Sequence, residues 1–245
     1  MSISPKDLVN KNKNLNKRID VGEISLDNVS INDLMYNGKN YDEHINLMSL
    51  LENVSACQVS DAYNGIYKRS GTIQTIRSVN NRKVFGSVFT AETASDDWGT
   101  SALAIDTACE GDILFFKVDS PDKAIWGELA SKCARNKGIK ATVIYGSVRD
   151  LDALLYIDYP IFASDSCPNA GSALGLGKLN EPVEIEGVNI NPGDFFIGDE
   201  NGIVVIPAEL FGEVMVATLE VKLKESEIIK QITGGRTLAE IVGLK

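Results

Sequence analysis

The sequence predicts a mixed α/β domain, and three observations carry that prediction. Short runs rich in Val, Ile, Phe and Thr recur along the chain. Stretches of helical spacing separate them. Of the 245 residues 44% are apolar, enough for one sizeable core. Residues 1 to 44 stand apart. They are rich in Asn and Lys, as in Lys11-Asn-Lys-Asn-Leu-Asn-Lys-Arg18, and read as a polar arm with a short strand or turn near Gly22–Asn28. The domain proper is expected at 45–245.

From Ile45 the pattern turns globular. Ile45–Leu51 has helical spacing, and a second short helix is expected to begin near Ser60-Asp61 and end at Asn64-Gly65. Strands are expected at Thr72–Val79, Val84–Thr90, Ile113–Val118, Lys140–Tyr145, Phe195–Gly198 and Ile203–Ile206. Helices are expected at Thr100–Cys109, Lys123–Asn136 and Asp150–Leu155, and Pro207 is placed to open a long last helix over Ala208–Ile232. Glu110-Gly-Asp112 and Asn191-Pro-Gly-Asp194 each precede an apolar strand and read as turns. The run Gly171–Gly177 reads as a mobile loop. No strand–turn–helix unit surrounds it, which argues against a nucleotide-binding loop and a methyltransferase.

Composition narrows the function. Lys and Arg number 24 against 34 Asp and Glu, a net charge of −10, so binding of nucleic acid through phosphate contacts is not expected. No run approaches the roughly 18 apolar residues of a membrane helix, and the start of the chain shows no apolar signal region. Cys57, Cys109, Cys133 and Cys167 form no C-x-x-C and read as free thiols of a cytoplasmic protein. His44 is the one histidine, so a zinc site built from His and Cys lacks its ligands. Any metal would be held by oxygen, which favours Mg²⁺ or Mn²⁺.

The block with most chemical content is Trp126-Gly-Glu-Leu-Ala-Ser131, a helix, and then Gly138 to Asp150. An apolar strand, Ala141–Tyr145, runs into Gly146, where the chain can turn sharply, and Arg149 and Asp150 follow at its exit. Ligands of α/β sheets commonly bind outside the carboxyl ends of strands. Arg149 offers a planar fork for a carboxylate, and Asp150 a hard oxygen for Mg²⁺. Glu128 precedes Arg149 by one helix-plus-strand excursion, which returns the chain beside its start. Gly127 and the amides of Leu129 and Ala130 would open the helix, and free amides there attract anions. The same residues also read as a surface Arg-Asp pair capping the next helix, with Glu128 a first-turn acid.

With these residues go others in fixed order: Val59-Ser-Asp-Ala62, Gly86-x-x-x-Thr90, Gly111-Asp-Ile-Leu114, Phe162-Ala163, Pro182-Val183, Gly187-Val-x-Ile-x-Pro-Gly-Asp194 and Asp199-x-x-Gly-Ile-Val-Val-Ile-Pro207. Together they resemble the RraA-like family over roughly residues 50–243. That family includes the class II 4-hydroxy-4-methyl-2-oxoglutarate/4-carboxy-4-hydroxy-2-oxoadipate aldolases and the regulator of ribonuclease activity A. Its pattern of an acid, twenty intervening residues and Arg-Asp is met by Glu128 and Arg149-Asp150.

The resemblance implies an αββα sandwich of the swivelling β/β/α type, assembled as a homotrimer or homohexamer with active sites between subunits. It implies that Arg149 binds the carboxylate of a 2-oxo acid, helped by the amides of Leu129 and Ala130 beside Gly127. Asp150 would hold the divalent metal, and Glu128 would position a water for proton transfer. A glutamate of a neighbouring subunit's last helix completes the family site; Glu225 is the expected match and Glu227 the fallback. A solvated helix face also accounts for both. The implied activity is a metal-dependent lyase, releasing pyruvate by retro-aldol cleavage or decarboxylating oxaloacetate. A regulatory binding protein without catalysis, or a member adapted to a biosynthetic sugar acid, is the alternative. Two departures stand out: Tyr145-Gly-Ser147 replaces the usual Asp-Gly-Ala or Asp-Gly-Gly, and Glu128 stands where aldolases often carry the shorter Asp. Asp96-Asp-Trp98 is expected either to line the substrate pocket or to end a strand.

Overall fold

The computed structural model describes residues 51–245. The N-terminal arm, His44 and the helical spacing from Ile45 to Leu50 lie outside the described residues. Helix α1 (Ala56–Tyr67) starts before Ser60 because Ser55 caps it. The Ser55 hydroxyl accepts from the Gln58 amide, and the Gln58 side chain accepts from the Ser55 amide.

One large sheet follows. In chain order its strands are β1 (Arg77–Ser78), β2 (Val84–Thr93), β3 (Ile113–Val118), β4 (Ala124–Trp126), β5 (Ala141–Val148), β6 (Ile161–Ser166) and β7 (Lys178–Leu179). A separate hairpin, β8 (Val183–Ile185) and β9 (Val188–Ile190), precedes β10 (Phe195–Asp199) and β11 (Gly202–Ile206), which rejoin the sheet. The spatial order is β1-β6-β5-β3-β2-β10-β11, with β4 beside β5 and β7 beside β2. The pairs β2·β3, β3·β5 and β5·β6 are parallel, and β2·β10 and β10·β11 are antiparallel. The helices after α1 are α2 (Gly99–Thr107), α3 (Glu128–Asn136), α4 (Leu151–Leu154), α5 (Phe211–Thr233) and α6 (Leu238–Ile241).

Side chains alternating along each strand build the core on both faces. Leu114, Phe116 and Ile144 pack under Ala104, Ile105, Ala134 and Leu154 of α2 to α4. Phe115, Val143, Phe162, Phe196 and Val205 fill the opposite face, closed by Val183, Ile185 and Ile190 of the hairpin. Helices α1 and α5 cover Phe195, Ile197, Val204 and Ile206. Each such buried side chain contributes about 1.5–3 kcal/mol, so a one-residue slip in register is strongly disfavoured. The sheet curls. Phe196 of β10 meets Phe162 of β6 edge-on at 5.6 Å although β5, β3 and β2 lie between their strands. The loop before β1 then bridges to β11, through Thr72 opposite Val204 and the Val205 amide donating to the Gly71 carbonyl at 2.9 Å.

Several expected boundaries move. The strand expected over Thr72–Val79 pairs regularly only at Arg77–Ser78, since its first half belongs to this closure. The helix expected from Lys123 is strand β4 followed by α3, broken at Gly127. Gly146 does not turn the chain; β5 continues to Val148 with a register shift between Ile144 and Ser147. There the Val118 side chain lies 2.7 Å from where a Cβ would stand. Pro207 precedes a 3₁₀ turn (Ala208–Leu210), and α5 begins only at Phe211.

Candidate active site

The end of β4 and the end of β5 lie side by side, and the backbone locks them together. The Arg149 amide donates to the Trp126 carbonyl at 3.0 Å, and the Glu128 amide donates to Asp150 Oδ2 at 3.1 Å. Gly127 is required at this crossing: a Cβ there would lie 2.5 Å from Asp150 Oδ2 and 3.1 Å from Arg149 Cγ. Below it, the buried Trp126 indole donates to Ser131 Oγ at 2.8 Å, and that hydroxyl donates to the Gly127 carbonyl at 2.9 Å. Gly127, Glu128, Arg149 and Asp150 are thus held at one corner by contacts that leave the Glu128 and Arg149 side chains out of the scaffold.

Asp150 adopts the left-handed conformation (φ 59°, ψ 41°), which a non-glycine residue holds at a cost of about 1–2 kcal/mol. Its side chain makes no cap to α4, so the capping role considered from sequence is not the one it plays. One carboxylate oxygen, Oδ2, takes the Glu128 amide and lies 3.7 Å from Arg149 Nε. The side chains of Arg149 and Asp150 remain 43% and 37% exposed. Glu128 pairs with Lys132 one turn along α3. The amides of Leu129 and Ala130 belong to the first turn of α3 and have no intrahelical acceptor, so they face outward as donors. Leu129 itself is 77% exposed.

The donor set suits a hard, water-rich cation. No cluster of three His, Cys, Asp or Glu occurs among the described residues, but Mg²⁺ is commonly held by one or two carboxylates and keeps several waters. Asp150, with Glu128 next to it, offers that pattern.

Glu225 is elsewhere in the same chain. It lies on α5, where Gln58 Nε2 of α1 donates to it at 2.6 Å, and nothing brings it to Arg149. Glu227 pairs with Lys230 at 3.7 Å. Two concavities, of about 300 and 310 Å³, lie on other parts of the surface, and neither is lined by Glu128, Arg149 or Asp150.

Asp97 is the residue whose importance the sequence reading did not resolve. It is 2% exposed, and its carboxylate collects donors across the loop. The amides of Leu174, Gly175 and Leu176 donate at 3.0, 2.7 and 2.8 Å, and the Thr100 hydroxyl and amide at 2.7 and 3.3 Å. Burial alone would raise its pKa, but these hydrogen bonds hold the carboxyl far below the usual range. The Gly171–Gly177 segment, expected to be mobile, is tied down here, and Gly99 and Gly177 permit contacts too close for a Cβ. It starts beside the corner, where the Cys167 amide donates to the Val148 carbonyl at 3.0 Å and the Ala124 amide to the Asn169 carbonyl at 2.8 Å. The signal present in sequence was Asp97 three residues ahead of Thr100 at a helix start.

Comparison with known proteins decides the family. The RraA-like model, described as Aldolase/RraA, matches residues 56–205. The chain belongs to the RraA-like family. An uncharacterized protein of Methanocaldococcus jannaschii is 36% identical over 200 residues, covering 81% of this chain and 94% of that one. A Halalkalibacterium halodurans protein named "Putative 4-hydroxy-4-methyl-2-oxoglutarate aldolase" is 30% identical over 164 residues, 66% of this chain and 77% of that one. Among solved structures, an uncharacterized protein from Pseudomonas syringae pv. tomato superposes with a TM-score of 0.67 at 28% identity, covering 79% of this chain and 96% of the other. The mixed α/β fold is that of RraA-like proteins. No helix among the described residues is long and apolar enough to cross a membrane.

Proposed function

We propose that this RraA-like protein is an aldolase-type lyase acting on a 2-oxo acid with the help of an oxygen-bound divalent cation, Mg²⁺ or Mn²⁺. The observation that carries the reading is the backbone-locked corner in which Arg149, Asp150 and the first-turn amides of α3 converge. Relatives named as aldolases support it.

Arg149 takes the substrate carboxylate in a two-point contact, and the amides of Leu129 and Ala130 supply further donors to the same anionic end. Asp150, with Glu128 beside it, would hold the cation, which supplies Lewis-acid stabilisation of charge developing on the 2-oxo oxygen. Glu128 holds and transfers a proton through a water. Its pairing with Lys132 leaves it on the exposed side of α3. No lysine is needed for a Schiff base. The open corner fits a site finished by a second subunit of a homotrimer or homohexamer, with Glu225 as the acid brought from outside.

Pyruvate release measured over a panel of 2-oxo acids tests the reading. Activity should vanish in EDTA and return with Mg²⁺ or Mn²⁺. Calorimetry should show cation binding to the wild type and none to Asp150→Asn. Full turnover in EDTA after exhaustive dialysis would remove the metal from the proposal. No turnover of any 2-oxo acid, with cation bound, would favour a regulatory binding role instead.

A further inference from the structure

Strand β4 is short, yet it delivers half of the corner. After Ala124, Ile125 and Trp126 come Gly127, where a Cβ would collide with Asp150, and Glu128, whose amide holds the Asp150 carboxylate. Three residues are the lower limit of a strand. The pairing of β4 with β5 also shifts register between Ala124 and Trp126. So brief a ladder leaves the position of β4 to whatever else grips it.

Two further grips hold β4, and both lead back to Asp97. At the start of the strand, the Ala124 amide donates to the Asn169 carbonyl at 2.8 Å, and Ala124 bridges to Ala170. That segment runs on to Leu174, Gly175 and Leu176, whose amides end on the Asp97 carboxylate. In the middle of the strand, the Ile125 carbonyl accepts from the Ser101 hydroxyl of α2 at 3.1 Å, and Ser101 is 2% exposed. The start of α2 fixes Ser101. Its neighbour Thr100 gives both its amide and its hydroxyl to Asp97, and the Ser101 amide donates to the Trp98 carbonyl at 3.1 Å. One buried carboxylate thus ties α2 to the glycine-rich segment, and each of them carries a hydrogen bond to β4.

We propose that Ser101 is a positioning residue for the corner. Its hydroxyl sets β4, and β4 sets the Glu128 amide that aims the Asp150 carboxylate. The Arg149 amide belongs to the same chain of contacts, because it donates to the Trp126 carbonyl. Groups that must align tolerate little movement, and a displacement of about 1 Å is enough to weaken a site severely. Ser101 touches neither substrate nor cation, so its effect passes wholly through β4. What the corner does with a cation comes from the lyase reading, on which this assignment rests; how firmly the corner is held is measurable without it.

Ser101→Ala in the full chain tests this, with Thr90→Val as its control. Thr90 is also buried and gives its hydroxyl to a carbonyl, that of Glu181, but it lies on β2, which does not pair with β4. Each variant leaves one carbonyl without its donor, so both should fold and melt a few degrees below the wild type. Native-state hydrogen exchange read by NMR should show the Glu128 and Arg149 amides exchanging faster in Ser101→Ala, by on the order of tenfold, and at the wild-type rate in Thr90→Val. Calorimetry with Mn²⁺ should give a dissociation constant raised about tenfold in Ser101→Ala at unchanged stoichiometry, and the wild-type constant in Thr90→Val. Loss of folded protein would lower the stoichiometry and leave the affinity alone, which separates positioning from damage. The proposal fails if the two corner amides exchange in Ser101→Ala as in the wild type, or if Thr90→Val speeds them equally. It also fails if they exchange faster while the Mn²⁺ constant stays at the wild-type value. A wild type that binds no Mn²⁺ would bring down the metal reading, and the exchange comparison alone would then decide the role of Ser101.

Discussion

Asp97 and Asp150 both stand just beyond strands of the same sheet, and they are opposite in character. Asp97 is sealed, and six donors from the chain converge on it. Asp150 receives one amide, keeps more than a third of its side chain in solvent, and holds a left-handed backbone. A carboxylate saturated by its own chain has no capacity left for a ligand, whereas one supplied with a single donor is positioned and still available. Burial and hydrogen-bond count thus separate an anchor from a candidate ligand where sequence offers only two aspartates.

The largest effect should come from the anchor. Asp97→Ala leaves several buried amides without an acceptor, and about 3 kcal/mol of stability should be lost. For a chain of this size that lowers the melting temperature by on the order of 10 °C in a thermal scan. The pH dependence follows from the depressed carboxyl. Its contribution is complete above the unfolded value near 4 and declines as pH falls toward its low folded value. Wild-type stability should therefore fall steeply below about pH 4, and Asp97→Asn should fall less steeply over the same range. Equal slopes would mean the carboxylate is not the anchor.

Next in size is Arg149→Lys. It keeps the charge and loses the planar fork. Catalytic efficiency on an active 2-oxo acid should fall by about a hundredfold, with melting temperature and cation affinity unchanged. Near wild-type kinetics would return Arg149 to the role of a surface partner of Asp150. Smallest of all should be Lys132→Met. Its pairing with Glu128 is an exposed i,i+4 contact, so stability should change by less than about 0.5 kcal/mol. Any clear shift in the pH profile of turnover would then report Glu128 released for proton transfer.

Much of this was legible in the chain. Strand β3 falls where Ile113–Val118 was expected, and the Arg149–Asp150 exit stands beside Glu128 as the excursion rule requires. What stayed hidden depends on distance or brevity. Strand β4 has three residues, too few to display a period, and β6 ends in Asp165 and Ser166, which look like a loop. Gly146 reads as a turn because nothing local reveals Val118 pressing on it. The glycine-rich run reads as mobile because the carboxylate that fixes it lies 77 to 79 positions earlier. Periodicity reports neighbours along a strand or helix, not a single buried acceptor far away.

The contact between the loop before β1 and strand β11 bears on how the chain assembles. The parallel pairs β2·β3, β3·β5 and β5·β6 join segments that follow one another closely, whereas the closure joins Gly71 and Thr72 to Val204 and Val205, with all the other strands between. Loop-closure entropy makes such a contact unrewarding until the intervening strands are in place. The closure is therefore expected to form late in folding, after the strands between are paired.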